Sequence, residues 1–340
     1  MKLPDYSKYI KTSFEIVKKY KWLWILGFIL SSSTGAGSYR IANSLSDSIE
    51  NPQNLEMENP LKPDENLPDM ANSVLGTFTG NLRDWAVSIP IGTWVLIALL
   101  TLLLIILGIS VSLLITNWAK GSLIAGLDMA LTKKETPTLE NTSPQGIKRL
   151  KNLIYFSLLL GLLSFGLVTV IPMVWAVIFY ILKSFEILKT LWIIIGGISS
   201  VILFFAAIML LTISRIYAER LIVLENYSPT KAWSTAIRMG KNSLIPTIVT
   251  GIVNQAITMA VGCLSIIILG VSLGVPSLIT YFIYKKSGEI SIILIILICL
   301  AFLLFLALSM ILRATLTVFN YSNWNQLYSD YLLFEKENEK

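Results

Sequence analysis

The acids nearest to the apolar stretches of this chain are Asp84, Asp128, Glu186, Glu219, Glu225 and Glu289. General acid–base chemistry would need two of them converging on a water-accessible pocket. All six fall in loops or at the ends of apolar stretches, and no two on one side form a recognisable active-site motif. The chain has no histidine and two cysteines, Cys263 and Cys299. Ser/His/Asp and Cys/His catalysis, His-ligated zinc or haem, and histidine proton relays are thereby excluded, and a Cys-rich metal site lacks ligands. The expectation is a non-enzymatic protein without metal or cofactor, and both cysteines read as small apolar fillers.

Binding chemistry has better candidates. Arg215 and Glu219 are four residues apart within the cluster Arg215, Glu219, Arg220 and Glu225, so they share one helical face and can pair. The ordinary reading is a snorkelling arginine with a surface ion pair. The functional reading adds Arg238 and Lys241 to make a cytoplasmic site for an anionic headgroup. Asn254 and Gln255 form the most polar adjacent pair inside an apolar stretch. They either hydrogen-bond to a neighbouring helix or line a polar cavity. Coupling to ions is disfavoured, because no apolar stretch carries an ionisable residue at its centre.

The elements that position these residues follow from composition. Of 340 residues, 54% are hydrophobic and 14% charged, with a mean hydropathy of +0.70, far from the soluble norm. Six stretches lack Asp, Glu, Lys and Arg: 22–39, 85–119, 152–182, 190–214, 242–284 and 290–312. None shows the strict alternation of a barrel strand, and a helix needs about 20 apolar residues to cross lipid. The expected fold is an all-α integral membrane protein with six transmembrane helices and cytoplasmic amphipathic interfacial helices. A cleaved signal peptide is the competing reading of the first stretch; the favoured one carries the crossing through 34–37. The fifth stretch, 43 residues with Pro246, Gly251, Gly262 and Pro276, reads as a long bent crossing followed by a short re-entrant or interfacial piece near 277–284. Its Gly270 and Gly274 suggest close helix packing.

Lys and Arg divide unequally between the two sides of these crossings, 20 on the side of the termini and seven on the other. Basic residues are retained in the cytoplasm, so both termini are expected there. The net charge of +6 then reflects topology and attraction to anionic lipid rather than nucleic-acid binding. The organisation is a single polytopic membrane domain over 1–340. It comprises an amphipathic cytoplasmic helix at 1–21, an extracytoplasmic loop at 40–88, helices two to six within 89–316 and a cytoplasmic segment at 317–340. The loop holds eight acids, three bases and Pro52, Pro60, Pro63 and Pro68, and reads as an acidic surface segment; a cation or partner site is the alternative.

The cytoplasmic segments suggest an internal repeat. Ser7, Ser143, Ser228 and Ser322 each precede a basic amphipathic stretch, at spacings of 136, 85 and 94 residues. Ser143-Pro144 and Ser228-Pro229 carry the strongest helix-start signature. Three units of amphipathic helix plus transmembrane hairpin result, the first enlarged by the acidic loop.

Residues 217–234, Tyr-Ala-Glu-Arg-Leu-Ile-Val-Leu-Glu-Asn-Tyr-Ser-Pro-Thr-Lys-Ala-Trp-Ser, continue through Arg238, Lys241 and Asn242 into the fifth stretch. This segment, with the Asn-Trp-x-x-Leu-Tyr ending over 323–328, resembles bacterial six-helix membrane proteins related to the membrane domain of glycerophosphoryl diester phosphodiesterase. The resemblance implies the fold, a place in the bacterial cytoplasmic membrane and a connection with lipids. Phosphodiester hydrolysis in that family belongs to a separate soluble domain with metal-binding acids and histidines, which this chain does not carry. The expected function is to bind or move lipid-like or amphiphilic molecules, or to serve membrane homeostasis. The alternative is a membrane scaffold or assembly protein acting through the acidic loop or the basic helices. Expected partners are membrane lipids, anionic headgroups among them, and a membrane protein partner; nucleic acid is not expected.

Overall fold

The computed structural model describes residues 4–32, 90–133, 135–182, 185–287 and 292–338, and every regular element among them is helical. The helices are α1 (Tyr6–Lys19), α2 (Leu23–Ser32), α3 (Ile91–Asp128) and α4 (Leu139–Leu182), a π-helical turn at Met129–Lys133 following α3. The short α5 (Glu186–Leu191) passes through a second π turn, Trp192–Gly196, into α6 (Gly197–Leu224). The chain continues through α7 (Pro229–Asn242), α8 (Leu244–Ser287) and α9 (Ile292–Asn338). Five segments, Gly92–Thr132, Leu139–Leu182, Trp192–Leu224, Leu244–Lys285 and Ile298–Leu332, are long and apolar enough to cross a bilayer. The protein is therefore an all-α, multi-pass membrane protein. Of the stretch 22–39, α2 covers ten residues; 33–39, the acidic loop with Asp84, and Glu289 lie outside the described residues.

The chain falls into two units. The described helix of Thr34–Leu113 is the first part of α3, exposed from Gly92 to Ser112, as an all-round apolar helix is where lipid is its solvent. The other unit, Met1–Ser33 with Leu114–Lys340, holds the buried core. That core gathers at one end of the long helices: Phe156, Tyr217, Leu221, Met239 and Tyr328 form one cluster, and Leu23, Leu26, Leu123, Leu127 and Val318 another. The opposite halves are not covered by protein, and Phe165, Ile202, Ile266 and Leu304 are each more than 60% exposed. Aqueous burial thus accounts for packing at one end only.

Close backbone approach explains how polar segments pack there. A Cβ on Gly146 of α4 would stand 2.7 Å from the Trp118 carbonyl oxygen of α3, and one on Gly27 of α2 2.4 Å from the Ala314 carbonyl oxygen of α9. Gly270 and Gly274 have no described atom within 4 Å of such a position, so the close packing expected of them does not occur within the described chain.

The helix starts differ from the proposed serine repeat. Ser228 does hold the position before α7, with extended backbone and Pro229 next, but its side chain makes no capping bond. At α1 the cap is Asp5, whose carboxylate accepts from the Lys8 N–H at 3.1 Å, with Ser7 already inside the helix. Helix α4 begins at Leu139, so Ser143 and Pro144 are internal. The Asn141 side chain accepts from the Thr138 N–H at 2.8 Å there, and the Ser143 hydroxyl accepts from the Trp118 indole at 3.1 Å. Ser322 is buried within α9. The serine cap does not recur at the described helix starts.

The fifth stretch is also corrected. Helix α8 is unbroken from Leu244 to Ser287 with Pro276 inside it, so 277–284 is helix and not a re-entrant piece. In lipid each main-chain group needs an internal partner, which favours continuation over a loop. The Thr280 hydroxyl also donates to the Pro276 carbonyl at 2.8 Å.

Candidate functional site

Two consecutive residues of α6, Glu219 and Arg220, turn into the protein where the apolar run of that helix gives way to charge. Both are nearly inaccessible. Glu219 Oε1 receives the Lys120 ammonium of α3 at 2.8 Å and the Arg215 guanidinium, one turn back on its own helix, at 2.9 Å. Lys120 is buried with it, whereas the Arg215 side chain is 49% exposed. The sequence expectation of an Arg215–Glu219 pair is met in geometry, but its character changes: the carboxylate anchors a helix-to-helix ion pair in the core.

Arg220 is arranged differently. Its Nη1 donates to the Ile216 carbonyl at 2.6 Å, its Nη2 to the Tyr321 carbonyl at 3.3 Å, and its carbon centre lies 5.7 Å from the Tyr321 ring. Those partners are neutral, and Nε has none. Lys120, Arg215 and Arg220 against Glu219 leave the cluster with two net positive charges, and the hydrogen bonds found for Arg220 go to main-chain carbonyls rather than to a carboxylate.

Facing this cluster, α8 supplies Asn254 and α9 supplies Asn320 and Asn323. The Asn323 amide donates to Asn254 Oδ1 at 2.6 Å, fixing Asn254 so that its own Nδ2 remains a buried donor without a partner. The Asn320 amide lies 3.5 Å from the Thr258 hydroxyl, and its buried oxygen has no partner. The seam continues to α1, where the Ser13 hydroxyl donates to Asn323 Oδ1 at 2.6 Å and receives Gln326 Nε2 at 2.9 Å. Unsatisfied buried polar atoms are scarce in folded proteins, and each one calls for a reason.

Between these side chains lies a cavity of about 390 Å³. Its lining is polar at Arg215, Glu219, Arg220, Asn254, Gln255 and Asn320 and apolar at Ile216, Gly251, Tyr321 and Trp324. Four of the six candidate residues read from sequence thus meet in one place. Gln255 is exposed at its rim. Arg238 and Lys241 are exposed on α7 and are not among its lining residues. Sequence reasoning placed Arg220 in the cluster with Glu219 without giving it a role of its own, and passed over Lys120, Asn320 and Asn323 as site residues. The i, i+4 spacing of Asn254 with Thr258 and the run Asn320–Asn323–Gln326 at three-residue spacing were the available signals.

No family model, curated protein or solved structure matches the chain.

Proposed function

We infer that this is a non-enzymatic protein of the bacterial cytoplasmic membrane that binds or moves lipid-like or amphiphilic molecules, and that it is related to the membrane domain of glycerophosphoryl diester phosphodiesterase. The observation that carries the reading is the cavity. Polar lining side chains, two of them with unpartnered donors, sit beside apolar ones within a bundle of membrane-spanning helices, which is the pairing an amphiphile needs. Glu219 is the one acid among its described lining residues, and two cations already engage it; this supports binding over acid–base catalysis.

The proposed topology has six crossings with both termini in the cytoplasm. Helix α1 packs against the last part of α9 through Tyr9 to Asp330, 2.5 Å, and Ser13 to Ser322, 2.9 Å. The core end of α3 lies at its C-terminal side, where Leu123 and Leu127 meet Leu23 and Leu26 of α2. If α3 crosses toward that end, the chain between α1 and α3 must cross once in the other direction, and the apolar stretch 22–39 is the available segment. The excess of Lys and Arg supports a cytoplasmic position for that end.

Native mass spectrometry of the gently solubilised full chain, with lipid analysis, tests the functional reading. One lipid class retained at fixed stoichiometry is the expected result. A stripped chain or an unselective mixture of host lipids overturns it in favour of the scaffold reading.

A further inference from the structure

We propose that the cavity between α6, α8 and α9 recognises the phosphate of an anionic phospholipid entering sideways from the bilayer, with Arg220 as its counter-charge and Asn254 Nδ2 as a second donor. This deepens the amphiphile-binding reading and rests on it. Glu219 takes its hydrogen bonds from Lys120 and Arg215, both at Oε1, and none of the hydrogen bonds found for Arg220 goes to it. Arg220 is only 1% exposed, and its hydrogen-bond partners are two main-chain carbonyls, neither of them an anion. A buried cation without a counter-ion is costly, and an oxyanion in the cavity removes that cost. The two unpartnered donors, Arg220 Nε and Asn254 Nδ2, belong to side chains that line this cavity from different helices. A phosphate offers several acceptor oxygens to donors spread in this way. The Asn320 oxygen, on another lining residue, is also buried without a partner and would suit a headgroup hydroxyl.

The direction of entry comes from the rim. Thr212 and Gln255 are exposed members of the membrane-spanning helices α6 and α8. Around them Met209, Leu210, Ile252 and Met259 present 39, 45, 63 and 62% of their surface outside the protein. A mouth framed by uncovered apolar side chains at membrane depth opens to acyl chains, and a soluble phosphate would have to pass them.

The experiment uses the full chain in nanodiscs of phosphatidylglycerol and phosphatidylcholine, reading the lipid that remains bound after delipidation by native mass spectrometry. Wild type should retain phosphatidylglycerol at least tenfold above its share of the bilayer. Asn254→Asp keeps the acceptor used by Asn323 but sets a negative charge at the phosphate, and should reduce enrichment to the bulk ratio, as should Arg220→Gln. Circular dichroism melts of Asn254→Asp verify folding, so the result does not depend on Arg220→Gln surviving. Lys148→Gln with Lys151→Gln, exposed on α4, should change nothing. Equal loss in that pair means diffuse surface attraction and overturns the site. So does undiminished enrichment in a folded Asn254→Asp, or retention of phosphatidylcholine without preference. Displacement by millimolar inorganic phosphate or glycerol phosphate would overturn the lateral route and assign the oxyanion to a soluble source. If wild type retains no lipid at all, it is the broader amphiphile reading that falls.

Discussion

Lys120 of α3 and Glu219 of α6, 99 residues apart in sequence, form an ion pair of 2.8 Å with both side chains buried. Lys120 depends on α6 for its counter-ion, whereas Glu219 also has Arg215 on its own helix. Removing one partner of such a pair typically costs roughly 3–5 kcal/mol. Glu219 answers two cations and Lys120 one anion, so the losses should be unequal: Glu219→Gln strands Lys120 beside Arg215, whereas Lys120→Met leaves Glu219 with Arg215 still bound. Thermal unfolding in detergent should show the larger drop for Glu219→Gln. A double variant less stable than Glu219→Gln alone by the full Lys120→Met increment would mean that the two do not interact.

The glycines make an opposite pair of expectations. Gly146→Ala would place a methyl 2.7 Å from one main-chain oxygen and 2.9 Å from the Ser122 main-chain nitrogen, so α3 and α4 must move apart. Overpacking of this kind costs about 1–3 kcal/mol. Gly270→Ala and Gly274→Ala meet nothing described within 4 Å, and alanine favours helix by about 1 kcal/mol. Folded yield and melting temperature should fall for the first and hold or rise for the others. A loss at Gly270 and Gly274 comparable with that at Gly146 would point to packing against a second chain there.

Asn254 and Gln255 should also separate. Asn254→Leu orphans the Asn323 amide, a buried donor worth about 1–3 kcal/mol when unsatisfied. Gln255 is exposed at the cavity rim, and Gln255→Leu should stay within about 0.5 kcal/mol of wild type. Chemical unfolding in a defined detergent measures both, and equal effects would contradict the geometry.

How far sequence carried this molecule follows from what its physics makes periodic. Charge-free length announces five of the long helices, because lipid imposes it over some 20 residues at a time. Arg215 and Glu219 were legible as partners because four residues close one helical turn. Lys120 was not, since nothing local to 118–124 distinguishes a base that snorkels to water from one that reaches a carboxylate on another helix. Arg220 stands in the same cluster as Glu219 in the sequence, but its burial is not legible there, because α9 sets it through the Tyr321 carbonyl and ring. The Ser143-Pro144 signature misled for a related reason. Thr138 and Asn141 offered an earlier start, and the serine hydroxyl found the Trp118 indole on a neighbouring helix.

Helix α1 supplies a pH dependence. The Tyr9 phenol, outside the spanning segments, has its pKa raised first by burial and then by its hydrogen bond to the Asp330 carboxylate, with Tyr6 also nearby. The folded form thus keeps its proton at pH values where an unfolded tyrosine, near pH 10, has lost it. The stabilisation is complete below about pH 10 and drains as pH rises toward the folded value. Tyr9→Phe should cost about 1 kcal/mol at neutral pH and remove this share of the alkaline loss. Melting temperatures of wild type and variant from pH 8 to 11 should therefore converge. Parallel curves would mean that Tyr9 titrates no differently in the two states.

The topology can be tested through the same contact. Tyr9 and Asp330 meet, so α1 and the final turns of α9 share one side of any membrane that the long helices cross. An odd number of crossings between them is incompatible with that contact, and five long helices alone would be odd. The stretch 22–39 has 18 residues free of Asp, Glu, Lys and Arg, short for a crossing but within the range of about 17–25. Reporter fusions active only in the cytoplasm should therefore be active at both ends of the chain, and fusions within 40–88 inactive. Labelling of single cysteines at Lys11 and Asp330 from the cytoplasmic face alone would agree, after replacement of Cys263 and Cys299. A reporter at 40–88 active in the cytoplasm would remove the first crossing and, with it, either the Tyr9–Asp330 contact or one of the five long spans.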